Sequence, residues 1–293
     1  MTVRRSFSDY AFRSYRKRNA INVLMCVLLV AAALVAVLPL LSVFWYVLRQ
    51  GAPALDWGFF TQLPKPVGEA GGGMVNALVG TATLVALASS VGIPWGIAVG
   101  LYLSEYGRGR VASIARFSAD MLSSVPSIIV GLFVYAIMVV PMKRFSALAG
   151  GLALGLLMIP TVSRTTEELL KMVPPNIREA GLALGLPRWK VTLRIVLRGS
   201  MGPIITGVML AIARVSGETA PLLFTAFNNR FWQSGLDQPI ASLPVQIYNY
   251  AISPYDDWHR QAWAGAFVLV MLVLAMNVLT RAALNRAGGR IRE

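Results

Sequence analysis

About six long apolar stretches restrict the fold of this chain more than any other feature. A helix needs about 20 apolar residues to cross a bilayer, and the sequence provides such stretches near 21–48, 75–103, 118–141, 145–163, 201–225 and 262–283. Backbone polar groups inside hydrocarbon must be paired within the spanning structure, and no series of alternating segments of about ten residues suggests a barrel. The sequence therefore predicts an all-α integral membrane protein of about six transmembrane helices.

The distribution of positive charge predicts how these spans are oriented. The chain carries a net charge of +14. If the amino terminus lies inside the cell, the basic residues concentrate on the inner flanks, and the outer side keeps only Arg49, Lys65, Lys143, Arg144, Arg230 and Arg260. This asymmetry follows the positive-inside rule and places both termini in the cytoplasm. Because the charge is spread over several flanks and forms no single patch, it does not favour a nucleic-acid partner.

The same pattern divides the chain into four parts. Both ends are basic, and two long polar loops separate the later apolar stretches. The predicted parts are a basic cytoplasmic amino arm at 1–20, the first transmembrane helix with an outer loop at 21–70, a helical core at 71–285 that includes a cytoplasmic loop at 164–200 and an outer loop at 226–261, and a basic cytoplasmic tail at 286–293.

Prolines inside the apolar stretches predict bends. Proline removes a backbone hydrogen bond and kinks a helix, and inside a membrane such a break needs polar partners or a water-filled cavity. Helices that bend around a pathway and ordinary membrane-helix packing are equally compatible with this pattern. The prolines concerned are Pro39, Pro94, Pro126, Pro160 and Pro221.

The polar segment after the fourth stretch predicts two short amphipathic helices between Pro174 and Arg198. Asn176 is a candidate N-cap of the first helix, and Gly185 can end it before the next proline. Helical spacing gives the first helix an apolar face of Ile177, Ala180, Gly181 and Leu184. The apolar side of the second consists of Trp189, Leu193, Val196 and Leu197. A basic amphipathic segment of this kind suits either the surface of anionic lipid or a protein partner.

Within this segment, the run Glu179-Ala180-Gly181, followed by Gly185 and by Ile195-x-Leu197, resembles the signature loop of ABC-importer permeases. Both spacings of the family motif are kept, while Gly181 replaces its second alanine and Arg198 its final proline. The resemblance implies that the first short helix docks into a groove on a separate cytoplasmic ATPase. The implied coupling residues are Glu179, Ala180, Gly181, Leu184, Gly185 and Leu186.

The sequence lacks the residues of a nucleotide-binding or catalytic site. No Gly-x-x-x-x-Gly-Lys-Ser/Thr run occurs that would hold nucleotide phosphates. Cys26 and His259 are each the only residue of their type, so a disulfide, a metal cluster and a catalytic triad are not expected. We therefore expect a transport subunit without catalytic residues, metal or cofactor, whose ATP is hydrolysed by a partner.

Arg214 and Glu218 place charge inside the fifth apolar stretch. A continuous fifth helix puts Arg214 near its middle, where burying a charge costs about 2.5–3.5 kcal/mol on insertion scales. The two residues are four apart and can pair, and the same stripe includes Gly207, Ala211 and Thr225. One interpretation is an ion pair that pins neighbouring helices. The other is a pathway residue, because the planar donor fork of arginine suits an oxyanion.

The run from Arg214 to Leu223 resembles the fifth-helix motif of the PstA-type permeases of bacterial phosphate importers. Two further runs, from Ser124 to Gly131 and from Asn76 to Thr81, are similar to the same family, and the likeness covers most of the chain after residue 70. It implies the type I ABC-importer permease (MetI-like) fold. The implied substrate-pathway residues are Arg214, Glu218, Thr219, Ser124, Ser127 and Asn76.

The resemblance also implies a heteromeric complex in the bacterial inner membrane. The other parts are a second homologous permease of the PstC type, two cytoplasmic ATPase subunits of the PstB type and an extracytoplasmic phosphate-binding protein of the PstS type. The expected function is the translocation of inorganic phosphate across the bilayer. Two alternatives stay open: a permease for another oxyanion such as molybdate or sulfate, and a non-transporting membrane scaffold or sensor subunit.

Aromatic residues are frequent in the predicted outer loop at 226–261. Aromatic side chains near a bilayer edge are ordinary interface anchors, and this interpretation is favoured over contact with the binding protein. The residues concerned are Trp232, Tyr248, Tyr250, Tyr255 and Trp258.

Overall fold

A computed structural model describes the backbone of residues 3–69 and 71–289, and the side chains of residue 15 and of residues 17–69 and 71–282. The long regular elements within these residues are helices. They are α1 (Val3–Gly51), α2 (Trp57–Thr61), α3 (Val75–Glu105), α4 (Arg110–Ser124), α5 (Ser127–Val134), α6 (Val140–Met142), α7 (Ala147–Lys171), α8 (Pro175–Ala183), α9 (Arg188–Lys190), α10 (Met201–Ser216), α11 (Ala220–Thr225), α12 (Leu243–Ala251) and α13 (Asp256–Gly289). Two π-helical turns, Tyr135–Val139 and Val191–Leu197, continue α5 and α9.

The number of membrane spans agrees with the sequence, but their form differs. Among the described residues, four helices are long and apolar enough to cross a bilayer, and the number rises to six if each of two bent pairs counts as one span. The straight candidates lie in α1, α3, α7 and α13. The bent pairs are 110–124 with 127–142, at 104°, and 188–197 with 201–216, at 72°. The predicted all-α membrane fold is confirmed, as is the bend predicted at Pro126. A continuous helix over 201–225 is wrong, because the chain breaks at 217–219.

Proline and glycine explain the break between α4 and α5 and a further break between α10 and α11. Val125 is extended at the end of α4, because the residue before a proline is biased away from helical geometry. α10 ends at Ser216 with Gly217 as its C-cap, and the chain enters α11 with Pro221 in its first turn, where the missing N–H of proline costs nothing. The other prolines lie inside continuous helices: Pro39, Pro94 and Pro160.

The chain divides into two compact units, residues 1–50 and 51–293. In the described part of the first unit, α1 is a single helix that continues through residue 20, where the amino arm was predicted to end. The side chains of its apolar window are exposed. The side chains of the predicted tail at 286–293 lie outside the described residues, and the four-part division of the chain stays a prediction.

The core of the second unit is a close seam between α3 and α7. Small residues let membrane helices approach each other closely. A Cβ atom added at Gly96 would lie 2.6 Å from the Cβ of Val162, so the site has no room for a larger residue. The seam pairs Gly92 with Met158, Gly96 with Val162, and Gly100 with Thr166. Because both numbers increase together, the two helices run in the same direction.

The segments that follow the breaks at 125–126 and 217–219, α5 and α11, pack against each other. A Cβ atom at Gly131 of α5 would lie 2.6 Å from the Cα of Pro221 at the start of α11. At the far end of α11, the carbonyl of Thr225 accepts a hydrogen bond of 3.0 Å from the amide of Ser146, just before α7. α5 and α11 are therefore neighbours that start close together, and both lie next to the beginning of α7.

Candidate functional site: a helical hairpin and a broken membrane span

Residues 174–198, called the hairpin segment below, form the two predicted short helices. The first, α8, ends in a Schellman motif: the amide of Gly185 donates to the carbonyl of Leu182 at 2.9 Å, and the amide of Leu186 to that of Gly181 at 3.3 Å. Gly185 has a φ of +77°, which favours glycine. The helix end predicted at Gly185 is thus confirmed.

The start of α8 differs from the prediction. Its N-cap position is Pro174, with Pro175 as the first helical residue, and Asn176 lies inside the first turn. Proline is well suited to the first helical position because its φ is already helical and its missing N–H would have no helical partner there. Asn176 is therefore not an N-cap.

Gly181 lies at the contact between the two legs of the hairpin segment, which are α8 and the helical stretch 188–197. It is buried, and a Cβ atom there would lie 2.9 Å from Cδ1 of Ile195 and 3.0 Å from Cγ2 of Val191. Glycine at this position, where the family motif has alanine, matches the close approach of the two legs. The prediction that Gly181 lies on one face with Ile177, Ala180 and Leu184 is wrong, because Gly181 is buried against the second leg while the other three are exposed.

The exposed face of α8 is apolar. Ile177 and Ala180 are exposed, and Leu184 is 81% exposed at the tip of the hairpin segment. Glu179 is also exposed beside this face. A leucine this accessible next to other apolar side chains indicates a binding surface.

The second leg does not bury its predicted apolar side as a whole. Trp189 and Leu193 are about half exposed, whereas Val196 is buried. The reason is the π-helical turn at Val191–Leu197, whose wider winding breaks the 3.6-residue period on which the prediction was based. The buried positions of the turn are Val191, Thr192 and Val196.

Arg178 was not among the predicted site residues. Its side chain links α8 to two membrane helices. Its guanidinium group is 2.6 Å from Oε1 of Glu105, at the end of α3. It also donates hydrogen bonds to the carbonyls of Leu170 at 2.8 Å and Val173 at 2.6 Å, at the end of α7. We call this arrangement the Arg178 clamp. It lines a cleft of about 260 Å³ that also contains Arg108 and Arg188.

A second arrangement, the Arg116 clamp, joins α3, α4 and α7. Nε of Arg116 donates to Oε1 of Glu167 at 2.7 Å, and the same guanidinium group donates to the carbonyl of Leu103 at 2.8 Å. Lys171 approaches the same carboxylate at 2.6 Å, and Glu167 is only 2% exposed. A buried carboxylate with two cationic partners is satisfied. Arg116 and Glu167 are 51 residues apart in sequence, so no local sequence pattern predicts their pairing.

Arg214 lies in the last turn of α10, two residues before the helix ends at Ser216. The prediction of a position near the middle of a continuous helix is therefore wrong. The Arg214 side chain is 55% exposed, and its Nε lies 3.9 Å from Oε1 of Glu218, which is 20% exposed. This distance is too long for a hydrogen bond, so the pair is an open contact between two charges.

The stripe predicted to continue from Arg214 faces elsewhere. A Cβ atom at Gly207 would lie 2.3 Å from Cγ2 of Thr165, so this glycine packs on α7. Ala211 and Thr225 are buried as well. Arg214 instead shares the accessible side of α10 with Leu210 and Gly217. The charge is consequently displayed outward from the core of this chain.

Hydroxyl residues flank the two breaks. Ser124 ends α4, Ser127 begins α5, and Thr219 precedes α11. No side chain caps the start of α5 or α11, so the partial positive charge of α5 at Ser127 is not neutralised by a capping group. Gly131, which contacts the first turn of α11, is four residues or about 6 Å along α5 from this start.

Asn76 is placed differently from the other predicted pathway residues. It is buried near the start of α3, and its Nδ2 donates to the carbonyl of Asn229 at 2.6 Å. The segment it holds, residues 226–242, is also tied to α3 by the amide of Leu243, which donates to Thr81 at 2.8 Å. Asn76 thus supports the predicted outer loop.

The aromatic residues of that loop fall into two groups. Tyr250 is buried and stacks on Trp258 with ring centres 4.6 Å apart, and the guanidinium of Arg230 lies 5.3 Å from the same indole. Burial raises the pKa of the Tyr250 phenol above its ordinary value, so it is a neutral hydroxyl at physiological pH. Of the predicted aromatic residues, Trp232, Tyr248 and Tyr255 are exposed, and Phe227 and Phe231 of the same loop are exposed as well.

About six spans, an exposed hairpin segment and a charged pair at a broken helix are the features of a membrane permease subunit. The family model for the binding-protein-dependent transport system inner membrane component matches residues 92–293. The phosphate transport system permease protein PstA of Yersinia pestis is 45% identical over 90% of both chains. The protein of the same name from Haemophilus influenzae is 46% identical over 90% of this chain and 94% of its own. The chain belongs to the binding-protein-dependent transport system inner membrane component family, and within it to the PstA permeases.

A solved structure supports the same fold. The permease of the MetNI methionine ABC transporter, in an inward-facing conformation, superposes with a TM-score of 0.56 at 16% sequence identity, over 73% of this chain and 93% of its own. The predicted type I ABC-importer (MetI-like) fold is thereby confirmed. The protein is a multi-pass protein of the inner membrane.

Proposed function

We propose that this chain is the permease subunit of an ATP-driven importer of inorganic phosphate, and that Arg214 lies on the translocation pathway. The observation that carries the proposal is the exposed Arg214–Glu218 pair at the end of a membrane helix. An arginine within an apolar stretch is costly to leave in lipid, so we expect its accessible side to face water or another protein. The phosphate transport names of the relatives supply the substrate.

The open geometry of the pair suits transient binding of an oxyanion. Because Arg214 and Glu218 are 3.9 Å apart, the guanidinium donors are not used up and can form a bidentate contact with a phosphate oxygen pair. The start of α5 near Ser127 adds positive potential from the helix dipole. Glu218 competes for the same guanidinium, which keeps the affinity low enough for release. Ser124 and Thr219 are candidate secondary contacts.

The hairpin segment is the proposed contact with the ATPase in the cytoplasm. Its apolar face at Ile177, Ala180 and Leu184 fits an apolar groove, as in other helix-in-groove complexes. Basic side chains on the second leg, such as Arg188 and Lys190, favour acidic residues at the rim of that groove. This orientation puts both termini of the chain in the cytoplasm and the 226–261 loop outside.

The remaining partners follow from the same model. A second permease of the PstC type closes the pathway next to Arg214, two ATPase subunits of the PstB type bind the hairpin segments, and a phosphate-binding protein of the PstS type docks outside. The exposed aromatic side chains Trp232, Tyr248 and Tyr255 are available for that protein or for the lipid interface. ATP hydrolysis belongs to the PstB-type subunits.

Proteoliposomes that contain the complete complex test the substrate. We expect ATP-dependent accumulation of radiolabelled phosphate that excess unlabelled phosphate suppresses and excess sulfate or molybdate does not. Equal competition by molybdate or sulfate would identify a permease for another oxyanion. ATP hydrolysis without movement of any of these solutes would instead support a scaffold or sensor.

A further inference from the structure

We infer that Arg178 is a positioning residue that makes the ends of α3 and α7 move together with α8, an inference that rests on the proposed function. Arg178 precedes Glu179 and is the side chain of α8 that reaches both membrane helices. Its Nε lies 3.0 and 3.1 Å from the two oxygens of Glu105. Nη2 donates to Glu105 and Leu170, and Nη1 to Val173. All three nitrogens of one guanidinium are thus used by two other helix ends.

The surroundings of the Arg178 clamp make it stiff. The side chain of Arg178 is 23% exposed and that of Glu105 is 11% exposed, so water competes little for either charge. The carbonyl of Val173 lies just past the end of α7, where carbonyls have no helical partner. The carbonyl of Leu170, in the last turn, also accepts from the amide of Val173 at 3.2 Å. Arg178 therefore caps α7 and pairs with α3 at the same time. Lysine would keep the charge but could not make these contacts together.

Packing contacts connect the helix ends held by the Arg178 clamp to the helix that carries Arg214. α3 and α7 are locked together by the glycine seam, and α7 packs on α10 where Gly207 meets Thr165. α10 then ends with the turn that contains Arg214. A displacement of α8 by a docked ATPase is consequently passed to α7 and α10 through packed elements, provided that the Arg178 clamp holds.

The Arg116 clamp provides a matched control. It uses the same chemistry, an arginine that pairs with a poorly exposed glutamate and donates to carbonyls at a helix end, and it also joins α3 to α7. Its partners do not include α8 among the described residues. A variant of Arg116 should therefore weaken the helical core without separating the hairpin segment from it.

The first test measures phosphate uptake and ATP hydrolysis in the same proteoliposome preparation of the assembled complex. For Arg178→Lys and Glu105→Gln, we expect hydrolysis within about twofold of wild type and uptake reduced about tenfold, so that the ATP used per phosphate rises about tenfold. For Arg116→Lys, hydrolysis and uptake should fall in parallel, with an unchanged ratio. A parallel fall, or no change, in both Arg178→Lys and Glu105→Gln would overturn the inference.

A second measurement does not depend on phosphate. Spin labels at Ala183 of α8 and Arg110 of α4, introduced as cysteines in a Cys26→Ala background, report the distance between α8 and the end of α3. We expect a narrow distance distribution with and without ATP in the wild-type complex, and a broad one in Arg178→Lys. Equally narrow distributions would overturn the role of Arg178. Absence of phosphate uptake by the wild-type complex would count against the proposed substrate and leave this comparison valid.

Discussion

Replacement of Arg214 by Gln is expected to abolish phosphate uptake while the amount of protein in the membrane stays normal. A bidentate contact consists of two charge-assisted hydrogen bonds, each worth about 1.5–3 kcal/mol. Loss of both removes about 3–6 kcal/mol, which corresponds to a decrease in transport of about 100-fold or more. The fold should tolerate the change, because Arg214 is 55% exposed and makes no hydrogen bond with Glu218 at 3.9 Å. Uptake of labelled phosphate, normalised to the permease detected in membranes, measures the effect.

Two further variants separate the possible roles of this arginine. Arg214→Lys keeps the positive charge but loses the planar, bidentate donor geometry of arginine. We therefore expect a phosphate uptake rate between those of wild type and Arg214→Gln. Arg144→Gln is the matched control, since Arg144 is 53% exposed and pairs with Asp237 at 2.9 Å away from the helix break; it should transport normally. Normal uptake by Arg214→Gln at a normal membrane level would remove Arg214 from the pathway and leave it a structural role.

Replacement of Gly185 by Asp is expected to abolish copurification of the ATPase. Gly185 has a φ of +77°, and a side chain in this left-handed region costs about 1–2 kcal/mol. The loss of the Schellman turn would redirect Leu184, and the new carboxylate would face the acidic rim proposed for the partner. Together these effects should lower recovery of the ATPase at least about tenfold. Affinity purification of the permease, followed by quantification of the bound ATPase, provides the measurement.

Asparagine at the same position separates the two causes of this loss. Asn is similar to Asp in size, carries no charge and is the side chain best tolerated after glycine at such a helix end. No atom lies within 4 Å of a Cβ placed at Gly185, so neither variant introduces a clash. Gly185→Asn should therefore retain most of the ATPase. Full retention by Gly185→Asp would contradict the assignment of this hairpin tip to the docking surface.

Three of the charged pairs among the described residues differ in a way that supports these roles. The Arg178 and Arg116 clamps have nitrogen–oxygen distances of 2.6 and 2.7 Å and hold helix ends through further hydrogen bonds to carbonyls. The Arg214–Glu218 pair is 3.9 Å apart and more exposed. Arginines used for structure are saturated with partners, whereas Arg214 keeps donors available for a ligand.

Patterns that are local in sequence predicted a large part of this structure. The apolar stretches gave the number of spans, and the left-handed glycine at Gly185 gave the end of α8. The spacing between Gly151 and Gly155 indicates close packing, and a Cβ atom at Gly151 would indeed lie 2.5 Å from the Cβ of Leu87. In each of these cases the predictive signal lies in residues that are close together along the chain.

The errors came from features that depend on tertiary contacts. Hydropathy does not register a break such as Gly217-Glu218-Thr219, because the average over a long window stays apolar. The π-helical turn at Val191–Leu197 changes the number of residues per turn, and no residue pattern in this stretch predicts that change. The Arg178 clamp joins residues 73 positions apart. Pairing at that distance is decided by the fold.

The contact between Gly131 and Pro221 joins the two segments that follow the helix breaks. Since the backbone of α5 meets the first turn of α11 at this point, neither helix can tilt toward the other without displacing it. We therefore expect α5 and α11 to shift as one unit during transport.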